Sequence, residues 1–322
     1  MPKLVRAAVV QAASVVFDPA STLTRAIELT RKAAAQGAEL VVFPEAFLGS
    51  YPKGLDFGAS VGGRTREGRE DYRRYFEGAI DVPGHEVQEI ANLTRELHLH
   101  LVIGVIERGG ATLYCTVLFF GPNGYLGKHR KLMPTASERL VWGFGDGSTL
   151  PVFETGLGRL GAVICWENYM PLMRMAMYAK GIELYCAPTA DNRPTWVPSM
   201  QHVALEGRCF VLSACQHMRR RDCPDSYDAV QGNDPDTLLM RGGSCIISPL
   251  GEIIAGPVWD EDAILVADLD MGEIGRGKYD FDVAGHYARP DIFHLQVNEA
   301  PMPAVSTVRG ALAVDDTQRV GS

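Results

Sequence analysis

The sequence predicts an α/β fold in a single domain, and three observations carry that expectation. Short apolar runs with β-branched members recur along the chain, among them VRAAVVQAA from Val5, ELVVF from Glu39 and IELYCA from Ile182. Longer helical stretches lie between them, such as the amphipathic His85 to His98 and Trp196 to Arg208. No segment is rich enough in Pro, Gly or Ser to divide the chain, and no sequence repeat is visible. Strand-length apolar runs alternating with helical patterns are what βαβ units produce. The domain is expected over residues 1–300, with a C-terminal tail at 301–322 that is mobile or contacts a second copy.

Val5 to Ala13 reads as the first strand, and a helix capped by Ser21 follows to about Gln36, stopped by Gly37. Glu39 to Phe43 is a second buried strand that ends in Pro44-Glu45. That places a carboxylate among Phe43, Phe47 and Tyr51, an unusual setting for a surface group. Residues 53–77 mix glycine with both signs of charge and read as a surface excursion. After the helix at His85, the runs His100 to Glu107 and Thr112 to Gly121 make two strands around Gly109-Gly110. Pro122-Asn123-Gly124 turns the chain into a return strand from Tyr125. Lys128 to Ser148 holds Lys128, His129, Arg130, Lys131, Glu138 and Arg139, and by charge alone reads as a solvated loop.

RLGAVICWENYMP, from Arg159 to Pro171, is the most informative stretch. Leu160 to Ile164 is a short buried strand, Pro171 suits the first turn of a helix, and Gly181 suits its end. Cys165 therefore sits where strand gives way to turn, where backbone N–H groups and a helix N-terminus would favour a thiolate. A cysteine ending an apolar strand is more often a small buried hydrophobe. Its neighbours Trp166, Glu167 and Asn168 set this one apart, because a carboxylate and an amide beside a core strand need partners or a purpose. Further strands follow at Ile182 to Ala187, Cys209 to Cys215, Ser244 to Ser248, Glu252 to Ala255 and Ala263 to Asp268, with a second charged excursion at Arg219 to Asp236. Met271 to Tyr279 is a short helix.

Composition narrows the function. The chain has 322 residues, 46% hydrophobic, with a net charge of −8, which argues against nucleic acid as a main partner. No apolar run approaches a membrane span, and MPKLVRAAVVQAA is too short and too polar-flanked for a secretory signal. The seven cysteines form no C-x-x-C pair and no zinc-spaced cluster, so a reduced, cytoplasmic setting without a metal site is expected. GEIGRGK, from Gly272, falls short of a phosphate loop because Tyr279 stands where the magnesium-binding hydroxyl belongs. No G-x-S-x-G or H-E-x-x-H occurs.

A cysteine nucleophile needs a proton acceptor, a proton donor to the leaving group and positive charge for the developing anion. None of the eight histidines has an obvious setting for this, and His129 reads as loop support. A carboxylate base with a lysine is the alternative, offered by Glu45 in VVFPEAF, Lys131 in HRKLMPT and Cys165 in GAVICWENYMP. These segments, with GKHRKLMPTASERLVWGFGDGS, YAKGIELYCAPTAD and GHYARPD, resemble the nitrilase superfamily of carbon–nitrogen hydrolases from about Val5 to Glu299. The CWE triplet and the ERLVWGFGDGS run resemble its nitrilase branch, of the plant-like and bacterial kind.

The resemblance implies a four-layer α-β-β-α sandwich, no cofactor, and homo-oligomers of dimers that can stack into spirals. It implies a Glu45–Lys131–Cys165 triad with Glu138 as a further active-site carboxylate, acting on a small-molecule nitrile. Tyr51, Trp166, Thr189 and Trp196 are candidate substrate-binding residues from their places beside strand ends. An amidase or carbamoyl hydrolase of the same superfamily and a catalytically silent binding protein are the competing readings.

Overall fold

The computed structural model describes residues 3–305, so 306–322, most of the tail expected at 301–322, lies outside the described residues. The first half of the chain runs β1 (Leu4–Gln11), α1 (Pro19–Ala35), β2 (Leu40–Val42), β3 (Ala59–Ser60), β4 (Gly63–Arg64), α2 (Arg66–Glu77), β5 (Ile80–Asp81), α3 (His85–Leu97), β6 (His100–Gly109), β7 (Thr112–Gly121) and β8 (Gly124–Arg130). The second half runs β9 (Val152–Glu154), β10 (Arg159–Ala162), α4 (Pro171–Ala179), β11 (Leu184–Thr189), α5 (Trp196–Gly207), β12 (Phe210–Cys215), β13 (His217–Arg219), β14 (Leu238–Ile247), β15 (Ile253–Trp259), β16 (Ala263–Asp270) and α6 (Gly272–Lys278).

Two seven-stranded sheets result. One has the order β16-β1-β2-β6-β7-β8, with β5 beside β6; the other has β13-β14-β12-β11-β10-β9, with β15 beside β14. Each is built on three parallel strands, β1-β2-β6 and β10-β11-β12, flanked by antiparallel ones, with the short β5 adding a further parallel pairing to β6. The two halves thus share a topology that no sequence repeat announces.

Residue alternation explains the layering. In β1, Val5, Ala7 and Val9 join the core shared with Leu160, Leu184, Phe210 and Leu212 of the other sheet. Ala8 and Val10 face the opposite way, against Leu23 and Ala26 of α1 and Val87 and Ile90 of α3. The second sheet repeats the scheme: Cys186 and Leu212 face inward, while Tyr185 and Val211 pack on Met173 and Met177 of α4 and Met200 and Val203 of α5. Both faces of every central strand are covered, so the strands read as continuous apolar runs. Helices lie outside two face-to-face sheets, which is the α-β-β-α sandwich.

Two expectations need correction. Asp18, not Ser21, caps α1: its carboxylate accepts from Ser21 N at 2.9 Å, with Pro19 opening the helix. Residues 53–77 are not wholly an irregular excursion, because α2 occupies their second half. Thr65 caps it by accepting from Gly68 N at 3.0 Å, and Tyr75 anchors it in the core, where its hydroxyl accepts from Trp142 Nε1 at 3.0 Å. Charge dominates REGREDYRRYFE, and its apolar stripe is only Tyr72, Tyr75 and Phe76, which hid the helix from the sequence reading.

Strand direction gathers the chemistry. β2 leads into Glu45, β10 into Cys165, and β11 ends at Thr189. β8 is antiparallel to β7, as β6 is, so its end at Arg130-Lys131 emerges at the same edge as the ends of β2 and β6. Gly104 in β6 lets the Glu45 turn settle on the sheet: a Cβ there would lie 2.4 Å from Pro44 O and 2.6 Å from Glu45 Cα. Gly104→Ala is expected to destabilise the fold by about 1–3 kcal/mol through this overpacking. Chemical denaturation checks it, and an unchanged midpoint would mean that the turn can move freely.

Candidate active site

Each polar side chain is placed by an element end. Glu45 is fully buried; its carbonyl accepts from Gln216 Nε2 at 3.2 Å. Lys131 follows β8, and its backbone N–H donates to Cys115 O at 2.8 Å. Its ammonium donates to Glu45 Oε1 at 2.6 Å and to Glu138 Oε2 at 2.7 Å, and stands 5.5 Å from the centre of the Trp142 ring. Glu138 lies on a 3₁₀ turn, Ala136–Leu140, where Oε2 also accepts from Thr135 N at 2.6 Å. Its Oε1 accepts from the Tyr51 hydroxyl at 2.7 Å. The segment read as a solvated loop therefore carries the most enclosed lysine of the molecule's interior, only 1% exposed.

Cys165 opens a second 3₁₀ turn, Cys165–Tyr169, with φ of +50°. That left-handed geometry is uncommon for a residue with a Cβ and requires support from its surroundings. Support comes from its neighbours. Asn168 Nδ2 donates to Val163 O at 3.0 Å and Cys165 O at 2.7 Å, while its Oδ1 accepts from the Tyr185 hydroxyl at 2.9 Å. Glu167 accepts from Ile164 N at 2.9 Å and Leu132 N at 2.6 Å. The Thr189 hydroxyl donates to Cys165 Sγ at 3.2 Å.

Electrostatics overturn one expectation. Burial pushes the Cys165 thiol up, Glu45 and Glu138 add to it, and Lys131 and Thr189 only partly oppose them, so its pKa rises to about 12. These surroundings favour the neutral thiol over the thiolate that the strand-to-turn position suggests. The α4 helix begins only at Pro171, past the 3₁₀ turn that Cys165 opens. Burial likewise raises the Glu45 carboxyl above its usual range despite Lys131. Burial opposes the Lys131 charge, but Glu45, Cys165, Cys115 and Glu138 outweigh it and hold the lysine well above its ordinary value. Glu45 Oε1 carries Lys131 and, at 3.4 Å, the Cys115 thiol, while Oε2 is buried without a hydrogen-bond partner among the described residues.

A cavity of about 270 Å³ has Cys165, Glu138, Tyr51 and Trp166 in its wall, while Glu45 and Lys131 do not line it and reach it through Glu138, which Lys131 holds. Trp166 is partly exposed; its Nε1 donates to Asp191 Oδ2 at 2.8 Å, and the Arg193 guanidinium lies 5.0 Å over its ring. Thr189 is buried behind the sulfur. Trp196 does not reach the cavity: it is enclosed in the outer core, with Nε1 on Ser213 Oγ at 2.9 Å. Lys53 and Arg193 also line the cavity and were missed, as were Cys115 and Gln216 behind Glu45. A strand cysteine in LYCTV and a loop lysine carry no local signal; only the pairing of distant segments reveals them.

The carbon-nitrogen hydrolase family model matches residues 6–279. A nitrilase from Bradyrhizobium diazoefficiens is 60% identical, over 97% of this chain and 98% of its own. A bifunctional nitrilase/nitrile hydratase from Lupinus angustifolius is 57% identical, over 97% of this chain and 91% of its own. Among solved structures, Nit3 of Saccharomyces cerevisiae aligns with a TM-score of 0.69 at 21% identity, over 88% of this chain and 97% of that one, a likeness of fold. The chain belongs to the carbon–nitrogen hydrolase family, within its nitrilase branch.

Proposed function

We propose that this protein is a nitrilase that converts an organic nitrile to the carboxylic acid and ammonia through a covalent Cys165 intermediate. One observation carries the assignment of roles: a buried lysine is shared by two carboxylates at a cavity whose wall includes a cysteine that feels all three charges. The 53–60% identity to proteins named nitrilases supports the substrate class.

The unpartnered Glu45 Oε2 is the base. It takes the Cys165 proton as the sulfur attacks the nitrile carbon, and returns a proton to the nitrogen, giving a thioimidate. Lys131 and the Trp166 backbone N–H stabilise the anion on nitrogen and later on oxygen. Glu45 then deprotonates a water that adds to the thioimidate carbon. If the C–N bond of the tetrahedral intermediate breaks, ammonia leaves with a proton from Glu45, and a second water cleaves the thioester. If the C–S bond breaks first, an amide is released and the thiol is restored. Glu138 fixes Lys131 and, with Tyr51, orients the substrate. None of these steps calls for a cofactor.

One domain over residues 1–300, a cytoplasmic setting and a homo-oligomer of dimers, with spiral stacking, complete the reading. All seven cysteines are free and buried, which fits a reducing compartment, and none of the helices among the described residues is long and apolar enough to cross a membrane. Tyr169, Leu172 and Leu205 on the outer helical layer are exposed apolar side chains suited to a subunit contact.

Cys165→Ala is expected to lower nitrile turnover by on the order of ten-thousandfold, measured as ammonia release. Retained activity would end the assignment. Glu138→Gln is expected to bind substrate with little change in KM while kcat falls roughly a hundredfold. Because the base must be ionised and its pKa is raised, kcat/KM is expected to rise with pH through the Glu45 titration, and Lys131 imposes no loss until well above its ordinary range. An acid limb at an ordinary carboxylate pKa would contradict the role of burial. Paired nitrile and amide substrates separate this reading from an amidase.

A further inference from the structure

Glu167 and His129 form a second buried charged pair that the proposed chemistry does not consume. Both side chains are fully enclosed. The imidazole Nδ1 lies 2.6 Å from the Thr149 carbonyl oxygen, and Nε2 lies 2.9 Å from Glu167 Oε2. A peptide carbonyl can only accept, so Nδ1 carries a proton. Glu167 receives two further donors, Ile164 N on Oε2 at 2.9 Å and Leu132 N on Oε1 at 2.6 Å. Two backbone N–H groups converging on one carboxylate favour its ionised form, which makes Nε2 the third donor. His129 is therefore an imidazolium. Burial works against that charge, and Glu167 outweighs it, raising His129 and lowering Glu167 relative to their ordinary values. The other charge acting on the ring is the Lys180 ammonium, which opposes protonation.

The two backbone groups that Glu167 holds matter more than their number. Leu132 N–H directly follows Lys131, and Ile164 N–H directly precedes Cys165. One carboxylate thus joins the end of the first sheet's β8 to the turn after the second sheet's β10. It also steadies the residue before the positive-φ cysteine, whose conformation relaxes if that anchor goes.

We propose that the His129–Glu167 ion pair is a positioning device that fixes Lys131 and Cys165 relative to each other, and that it does so only while His129 is protonated. This rests on the nitrilase reading for its kinetic consequence but not for its charge state. Loss of the proton leaves Glu167 as an anion with one donor fewer, and the two halves of the site lose their common clamp. kcat should then fall as pH rises through the His129 titration, below the range in which Lys131 or Cys165 ionises.

The test uses the intact enzyme and His129→Gln, Glu167→Gln and Glu167→Asp. Ring ¹⁵N shifts of histidine-labelled wild type should show both His129 nitrogens protonated near neutral pH. His129→Gln and Glu167→Gln should keep KM within a few-fold while kcat, and the rate of Cys165 alkylation by iodoacetamide, fall roughly a hundredfold. The alkaline limb assigned to His129 should be absent from His129→Gln, and Glu167→Asp should recover part of kcat. A neutral His129 ring in the wild type, or wild-type kcat in His129→Gln, overturns the proposal. Where the variants fail to fold, the wild-type ring titration and pH profile decide it. A wild type that hydrolyses no nitrile sinks the functional reading instead, and ring protonation with alkylation rate still judges the clamp.

Discussion

An ammonium group enclosed between two carboxylates sets the terms for the rest of this structure. Lys131 lies far from water, and a lone charge there would be prohibitive. It is stable because Glu45 and Glu138 each approach within hydrogen-bonding distance. Removing one member of such a buried group typically costs about 3–5 kcal/mol, since the remaining charge loses its partner. Three separate segments must therefore arrive together, and the sandwich is the scaffold that delivers them.

The delivery follows from strand direction. Parallel strands in each sheet end at one edge, and β8 returns to that edge after the β6–β7 hairpin. A one-residue slip would exchange the inter-sheet core for the helix-facing one, so the differing sizes of the side chains on the two faces oppose it. The close seat of Pro44 to Ala46 on Gly104 then fixes Glu45 by backbone contact and not by side-chain packing alone. Rigidity at strand ends is turned into rigidity of the charges.

Much of this was legible in the sequence, for a physical reason. Glu45 and Cys165 follow apolar strands directly, so a polar group at those places stands out, and family resemblance supplied Lys131 and Glu138. Three features were not legible. The helix α2 hides under its charges because Tyr75 is its single fully buried aromatic. Trp196 was assigned to the pocket from its place after a strand, although its side chain turns into the α5 core. The protonation of Cys165 depends on burial and on carboxylates from distant segments, which no local pattern encodes. The same holds for His129 and Glu167, separated by 38 positions and meaningful only as a pair.

A protonated sulfur at rest changes what the neighbouring carboxylate has to do. A preformed thiolate would need no base for its attack, and Glu45 would serve only later steps. Under the proposed mechanism, a neutral thiol calls on Glu45 from the first bond. The most direct measurement is the ultraviolet thiolate absorbance of the wild type, titrated with pH and corrected by subtracting that of Cys165→Ala. The account expects no Cys165 thiolate near neutral pH, with ionisation only toward about 12. A thiolate signal already present at neutral pH would contradict it.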